Sequence, residues 1–402
     1  MSLERPFAPD PSPLTPAPGL YVHIPFCKTK CPYCDFYSIT TPDLISAYLC
    51  ALEKEAQIYG GTGVPPVPAQ AKACGYQRTT FPAFDTLYLG GGTPSLLEAD
   101  QFVELMTTLR RYFSFAPNTE FTLEANPDDA TPEKLRFWRD LGVNRLSLGV
   151  QSLDEEELRF LGRRHTAGQA LQALSQSRAA GFANLSADLM YGLPGQTLET
   201  WVRTLEQVLA FTPEHLSCYQ LTLAPDTPMG AAATRGEFAP LTEEAERDFF
   251  LLTSRFLGER GYLHYEVSNF ARDKEHRCRH NLKYWRHVPY LGLGPGAHSF
   301  DGRRRWWNFS SVAQYCSSVK AGGAPVAGEE TLSAEQLRLE ALYLGFRTRE
   351  GVSLELLQAR SRWQASLTEL SRAGLLRMEA GRAKATVQGL VVADRLPLFF
   401  VE

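Results

Sequence analysis

The feature that most constrains this chain is a repeated alternation of short apolar, β-like runs with longer amphipathic segments. Between residues 20 and 221 six such runs occur, and a stretch with helical periodicity follows each of them. Val, Leu and Ile are frequent in the runs, as expected for strands that are covered on both faces in a parallel sheet. The predicted strands are 20–24, 84–89, 120–125, 145–150, 184–192 and 215–221.

Six strand–helix units predict an α/β fold with a parallel sheet. A closed barrel of this type needs eight units, so we expect an open, partial (β/α)6 barrel. The helix ends agree with this interpretation. Thr131 and Pro132 predict the start of one helix and Gly142 its end, while Ser152 and Glu155 have the spacing of a capping box at the start of another.

Other segments fall outside this repeat. Residues 1–19 are rich in proline and lack an apolar core, so we predict a disordered leader. The barrel is predicted over 20–225, with a flexible surface insertion at about 60–83. Residues 226–325 form an aromatic-rich linking region. Residues 326–402 predict a smaller, helical, winged-helix-like C-terminal domain, because a helix, a strand, a turn and a strand follow one another near its end.

Composition excludes several classes of protein. The 402 residues carry a net charge of −4, so there is no basic field for nucleic acid. No apolar stretch approaches the ~20 residues of a membrane span. The N-terminus does not read as an export signal, which predicts a cytoplasmic protein with reduced thiols. Five of the eight cysteines are scattered and are predicted to be small buried apolar residues: Cys50, Cys74, Cys218, Cys278 and Cys316.

The other three cysteines are bunched directly after the first predicted strand, in LYVHIPFCKTKCPYCDFYS. Cys27, Cys31 and Cys34 have the spacing C-x3-C-x2-C. A structural zinc ion takes four ligands, and His23 or Asp35 would have to complete the set. An iron–sulfur cluster held by only three cysteines keeps one iron without a protein ligand, and a small molecule can bind there. The spacing favours the cluster.

Polar residues follow the next predicted strands. LGGGTPSLL places Gly91, Gly92 and Thr93 at the end of the second strand, where glycines let the backbone approach a ligand. Three further strands end near the polar residues Glu124, Gln151 and Asp188. A tight turn or a helix cap explains each one singly. As a set they predict a site for a polar cofactor, because ligands of parallel α/β folds bind at the carboxyl ends of the strands.

The cysteine spacing after the first strand resembles the signature of the radical S-adenosylmethionine (SAM) superfamily. The resemblance implies a radical-SAM barrel whose three cysteines hold a [4Fe–4S] cluster that binds SAM and receives one electron from a donor. It also implies that Gly91, Gly92 and Thr93 meet the SAM amino group. Carboxylates suit the ribose hydroxyls, and Arg163 suits the SAM carboxylate. Tyr21 is predicted to pack near the cluster.

A more specific resemblance extends from about residue 20 to the C-terminus. HIPFC, GGGTPS, LGVQS, DLMYGLPGQT and YLGLGPGAHSF are similar to the oxygen-independent coproporphyrinogen III oxidase branch of the superfamily. The oxidases carry a fourth cysteine two residues after the third, where this chain has Phe36, and a longer N-terminal segment, where this chain has about twenty residues. Both departures disfavour the oxidase, which stays open as an alternative, as does a radical-SAM enzyme with an unrelated substrate.

CPYCDFYS and HNLKYWRHVPYLGLGPGAHS resemble the HemW family of heme chaperones within this branch. That resemblance implies delivery of heme to apo-hemoproteins, among them membrane-bound respiratory enzymes, with a peripheral membrane location and a homodimer as further implications. His280 of the HNxxYW motif becomes the predicted heme ligand, with His276 or Cys278 as alternatives. A hydrogen-bonded loop histidine is the simpler interpretation. The RRRWW run at 303–307 could meet heme propionates, although such runs are usually solvated turns.

Overall fold

A computed structural model describes residues 16–60, 81–357 and 361–401. The predicted leader lies almost entirely outside the described residues, as does most of the predicted insertion. The strands of the main sheet are β1 (Gly19–Ile24), β2 (Phe84–Gly91), β3 (Phe115–Ala125), β4 (Arg145–Gln151), β5 (Leu185–Tyr191), β6 (His215–Gln220), β7 (Leu263–Glu266), β8 (Asn269–Ala271), β9 (Tyr290–Leu293), β10 (His298–Phe300), β11 (Arg304–Asn308) and β12 (Val326–Thr331).

Helices cover the outside of this sheet and build most of the C-terminal part. In the described residues the α-helices are α1 (Ile45–Tyr59), α2 (Ala99–Tyr112), α3 (Pro132–Asp140), α4 (Glu155–Phe160), α5 (Ala167–Ala179), α6 (Leu198–Leu209), α7 (Pro228–Thr234), α8 (Glu243–Glu259), α9 (Arg279–Trp285), α10 (Val312–Lys320), α11 (Ala334–Gly345), α12 (Ser361–Arg372) and α13 (Val387–Val391). Short 3-10 helices lie at Pro42–Leu44, Pro94–Leu96, Pro127–Asp129, Leu354–Leu356 and Leu396–Phe400.

The six predicted strands are all present, and they form the parallel part of the sheet in the order β1 to β6. Alternation along each strand explains how the site is placed. In β1, Leu20, Val22 and Ile24 are fully buried in the apolar core, whereas the side chains of Tyr21 and His23 lie on the opposite, inner face. The inner faces of the other parallel strands are also polar. The predicted partial barrel is confirmed, and polar side chains line its interior.

Antiparallel strands extend the sheet at both ends, and the sequence did not predict them. On one side β9 pairs with β1 in parallel, and β10, β11 and β12 continue antiparallel. On the other side β8 pairs with β6, and β7 pairs with β8. Helix α9 packs at the opening where the barrel strands begin, since His280 lies against Gly19 and Thr86. The carboxyl ends of the strands form the opposite, open end.

Two of the predicted helix ends can be compared with the structure. Thr131 caps α3, with its Oγ1 accepting a hydrogen bond from the backbone of Lys134, so that prediction is confirmed. The predicted capping box of Ser152 and Glu155 is wrong. Asp154 caps α4 instead, because its carboxylate accepts from two backbone N–H groups of the first turn.

The C-terminal part has a core of its own, built around Phe346, Trp363, Leu370 and Phe400. Its three-stranded sheet has the order β13 (Val352–Ser353), β15 (Arg382–Ala385), β14 (Leu376–Glu379). Helix α12, β14, a turn and β15 follow one another as the sequence predicted. Among the described residues, no helix is both long and apolar enough to cross a membrane.

Candidate functional site

The three bunched cysteines lie in the loop that leaves β1, at the open end of the barrel. Hydrogen bonds fix the base of this loop, from Cys27 N to the Ile39 carbonyl and from Ile39 N to the Pro25 carbonyl. None of the three thiols forms a disulfide, and each is partly accessible. Polar side chains from two other loops reach the sulfurs. Thr93 Oγ1 donates to Cys27 Sγ at 3.4 Å, and Arg163 Nη1 donates to Cys31 Sγ at 3.4 Å.

This donor set suits a cluster better than a single zinc ion. His23 cannot complete a zinc site as it stands, because Nδ1 bonds Tyr21 Oη and Nε2 bonds the Tyr37 carbonyl. Asp35 is exposed. Among the described residues, no three His, Cys, Asp or Glu side chains converge where one metal ion could bind them all. A [4Fe–4S] cluster instead offers each thiolate a separate iron, so Cys27, Cys31 and Cys34 fit it.

The glycine loop after β2 packs directly against the chain that leads to the cysteines. Gly92 N donates to the Ile24 carbonyl and Thr93 N to the Phe26 carbonyl, each at 2.8 Å. Gly91 has φ +109°, and a Cβ there would lie 2.6 Å from the His23 ring. Only glycine suits that position. The predicted residues Gly91, Gly92 and Thr93 are therefore brought beside the predicted cluster.

Glu124 lies on the inner face at the end of β3, next to the glycine loop. Its carboxylate accepts from Tyr88 Oη at 2.7 Å and from Gly91 N at 3.2 Å. Burial raises the pKa of Glu124 to about 7, although the hydrogen bond from Tyr88 opposes this change. A carboxyl group with this pKa can accept or donate a hydrogen bond near neutral pH, which suits a ribose hydroxyl.

Arg163 connects the cysteine loop to the end of β4. Its Nη2 donates to Asn126 Oδ1 at 2.6 Å and to the Gly149 carbonyl at 2.9 Å, while Nη1 faces Cys31. Nε is buried and has no hydrogen-bond partner among the described residues. A guanidinium beside the cysteines can bind a carboxylate, and the role given to Arg163 stays a prediction.

Asp188 and Gln151 occupy neighbouring strands of the same inner face. Ser147 Oγ donates to the Asp188 carboxylate at 3.1 Å, and burial raises the pKa of Asp188. Gln151 has φ +63° at a register shift between β4 and β5, so the backbone bends there and the side chain is partly accessible. Glu124, Gln151 and Asp188 thus lie on three consecutive strands, on the inner face of the sheet.

Tyr21 and His280 lie inside the barrel with their rings close together. The Tyr21 hydroxyl bonds His23, and its ring lies 6.1 Å from that of Tyr88 and 6.2 Å from that of His280. His280 is 1% exposed, with Nδ1 2.8 Å from Thr86 Oγ1 and Nε2 2.9 Å from Tyr284 Oη. Both ring nitrogens are engaged and the ring is enclosed. This placement does not support the prediction that His280 binds heme iron.

Sequence reasoning missed several residues that build the site: Tyr88, Asn126 and Ser147, which bond the predicted residues, and His23, which was considered only as a zinc ligand. Tyr88 and Ser147 lie on the same face of their strands as the predicted site residues, so period-two alternation could have identified them. Asn126 lies just past the end of β3, two residues after Glu124, and its position at a strand end could have identified it.

Comparisons with known proteins agree with this geometry. A profile described as "Radical SAM superfamily" matches residues 21–208. Two relatives carry the name "Heme chaperone HemW". The one from Mycobacterium tuberculosis is 35% identical over 95% of both chains, and the one from Bacillus subtilis is 32% identical over 94% of this chain and 97% of the relative.

A solved structure also matches over nearly the whole chain. It is the coproporphyrinogen III oxidase HemN from Escherichia coli, described as a radical SAM enzyme. It is 25% identical, with a TM-score of 0.76, and the match covers 97% of this chain and 91% of that one. The two relatives and this structure each match nearly the whole chain, and the profile places residues 21–208 in the radical SAM superfamily. The chain therefore belongs to the HemW family of the radical SAM superfamily.

Proposed function

We propose that this protein is a heme chaperone that binds heme and delivers it to apo-hemoproteins. The similarity to heme chaperones over almost the full length of both chains carries the proposal. The residues around the cysteines support it. Phe36, at the position where the oxidases carry a fourth cysteine, is 69% exposed beside the cysteine loop. Its phenyl group can neither coordinate iron nor exchange a proton.

The inner face of the barrel would hold the cofactors. Cys27, Cys31 and Cys34 bind the [4Fe–4S] cluster, which when bound supplies one-electron chemistry and an iron open to the amino-acid part of SAM. The side chain of Arg163 orients a carboxylate beside Cys31. Glu124 can bond a ribose hydroxyl and hold a proton on its carboxyl group near pH 7. Tyr88 fixes the direction of that carboxyl group.

We extend the proposal to the partners. The acceptors would include membrane-bound respiratory enzymes, reached from the cytoplasmic side, and a separate one-electron donor would reduce the cluster. A homodimer is also part of the proposal. These extensions are supported by the family resemblance in CPYCDFYS and HNLKYWRHVPYLGLGPGAHS.

The test uses full-length protein whose cluster has been reconstituted without oxygen. Hemin titration should give a saturable Soret change, and the loaded protein should restore a heme-depleted respiratory enzyme faster than free hemin does. The same preparation, given a reductant, SAM and coproporphyrinogen III, should form no vinyl product over many turnovers. Sustained conversion of coproporphyrinogen, or failure to bind hemin, would contradict the proposal.

A further inference from the structure

All eight histidines of the chain lie in the described residues, and each is a possible imidazole ligand for a heme iron. Four of them are buried and His264 is half-buried, and the rings of all five are engaged within the fold. Both ring nitrogens are hydrogen-bonded in His23, His215, His264 and His280; in His165 one nitrogen is bonded and the other is buried. An iron atom cannot reach these rings without local unfolding.

Three histidines remain accessible, and they differ in what their rings contact. His276 Nδ1 bonds the Asp273 carboxylate at 2.8 Å, and His287 Nε2 bonds the Glu340 carboxylate at 3.0 Å. His298 is exposed, and neither ring nitrogen has a hydrogen-bond partner among the described residues. Partial burial and the nearby Arg305 lower its pKa, so the imidazole is neutral at pH 7 and keeps a lone pair for a metal.

The ring of His298 is held in place by a neighbouring indole. His298 pairs with Trp307 across β10 and β11, and the two rings stack at 6.0 Å with an interplanar angle of 27°. Trp307 in turn lies on Gly328 of β12, where a Cβ would be only 2.4 Å from the indole. The glycine therefore lets the indole lie against the sheet. The exposed His298 and the half-buried Trp307 therefore form a pre-organised aromatic pair at the surface.

We propose that His298 is the axial ligand of the transported heme and that Trp307 is the positioning residue that orients its imidazole. The inference rests on the proposed function. An axial imidazole ring is perpendicular to the porphyrin plane, so an indole parallel to the imidazole points its edge at the same porphyrin face. Trp307 would thus both fix the His298 ring and support the macrocycle.

A cation for the heme propionates lies on the same strand. Arg303 precedes β11 and is exposed, and its side chain has no ion pair among the described residues. Residues 303, 305 and 307 alternate with 304 and 306 along the chain, which places the side chains of Arg303 and Trp307 on one face of the sheet. Arg305, on the same face, is already paired with Glu330 and Glu340. Arg303 is therefore the available partner for a carboxylate.

The topology also places His298 at the functional end of the barrel. Because β9 runs parallel to β1, the turn between β9 and β10 lies at the end where the cysteine loop begins. That turn contacts the loop, since a Cβ at Gly296 would lie 3.9 Å from Tyr37 Cβ. His280 lies at the opposite end, under α9. Heme on His298 would be close to the cysteines and open to an acceptor protein.

The test compares hemin titrations of the full-length, cluster-loaded protein and of His298→Ala. We expect the alanine variant to bind hemin at least about tenfold more weakly and to lose the imidazole-ligated Soret and electron paramagnetic resonance signatures. Added imidazole should restore those signatures. His276→Ala is the matched control, because it removes another accessible histidine; its affinity should stay within about twofold of wild type. Trp307→Leu should weaken binding less than His298→Ala and broaden the low-spin signal.

The possible outcomes separate this inference from the proposed function. If the wild type binds hemin and His298→Ala binds it equally well, His298 is not the ligand, while the chaperone function stands. If His276→Ala loses the ligand signature instead, the site belongs to His276 and the inference is overturned. If the wild type shows no saturable binding, the proposed function fails and the inference fails with it. Since His298 is exposed, its replacement should leave the unfolding midpoint unchanged.

Discussion

His280→Ala should lower the free energy of unfolding strongly and leave hemin affinity unchanged. The imidazole links α9 to the barrel through its bond with Thr86 of β2, and it also bonds Tyr284 within α9. Losing each of these buried bonds, with a hydroxyl left unpaired, costs about 1–2 kcal/mol. The cavity left by the ring adds about 1–2 kcal/mol. The sum is about 3–6 kcal/mol, a large part of the stability of an ordinary domain.

The assay is equilibrium unfolding in urea, followed by circular dichroism, together with hemin titration under conditions in which both proteins are folded. His280→Asn places an amide near the position of Nδ1, so it should keep the contact with Thr86 and lose about half as much stability. His276→Ala, at the surface, should change stability by less than about 1 kcal/mol. The reasoning would be refuted by a His280→Ala protein that unfolds at the wild-type urea concentration and no longer binds hemin.

Three further predictions follow from single contacts. Cys34→Ser should abolish cluster absorbance and most bound iron after reconstitution, whereas Cys50→Ser, at an exposed position on α1, should change neither. Gly91→Ala should weaken SAM binding and cost more than about 2 kcal/mol, because it adds a clash with the His23 ring to an unfavourable φ. Burial raises the pKa of Glu55 to about 7, so the stability contributed by its protonated carboxyl group is complete below the unfolded pKa and is lost as the pH rises through 7. The wild type should lose about 3 kcal/mol of unfolding free energy in this way, and Glu55→Gln should not.

Each of these has a control and a contrary result. For Gly91, the control is Gly236→Ala, which has φ +72° but no atom within 4 Å of the new Cβ and should show the backbone strain alone. Equal losses in the two variants would mean that the contact with His23 does not matter. For Glu55, the control is Glu104→Gln on the exposed face of α2. Unfolding curves of Glu55→Gln and wild type that shift equally between pH 5 and 8 would contradict the buried-carboxyl argument.

The parts of the fold that the sequence predicted are those with a strong local signal. The six barrel strands each combine β-branched or leucine-rich runs with a following amphipathic helix, so their positions were found within a few residues. The polar site could also be predicted, because parallel strands bring their carboxyl ends to one edge. Glu124 and Asp188 are far apart in the chain but share that edge.

The parts that were missed depend on contacts between distant segments. Strand β10 has three residues, too few for a periodic signal, and it exists because β9 and β11 pair with it. The burial of His280 depends on Thr86, 194 positions away. Nothing in HNLKYW indicates that the His280 ring is buried at the end of the barrel where the strands begin. At Ser152, two competing caps were only two residues apart, and Asp154 accepts two backbone bonds where Ser152 accepts one.

The exposure of His298 also has a consequence for how heme leaves the protein. A heme iron held by an enclosed ring would be released only when α9 opens, at a rate that does not depend on the acceptor. Heme on the exposed His298 would lie at the surface, so a ligand from the acceptor could approach before the iron–imidazole bond breaks. We therefore expect the transfer rate from hemin-loaded wild type to rise with acceptor concentration over a concentration range of at least about tenfold. The rate is measured by stopped-flow mixing followed at the Soret band.

Excess apomyoglobin, which captures only released heme, measures the spontaneous dissociation rate separately. A transfer rate that equals this dissociation rate at every acceptor concentration would show that heme leaves first, and direct transfer from an exposed histidine would then be wrong.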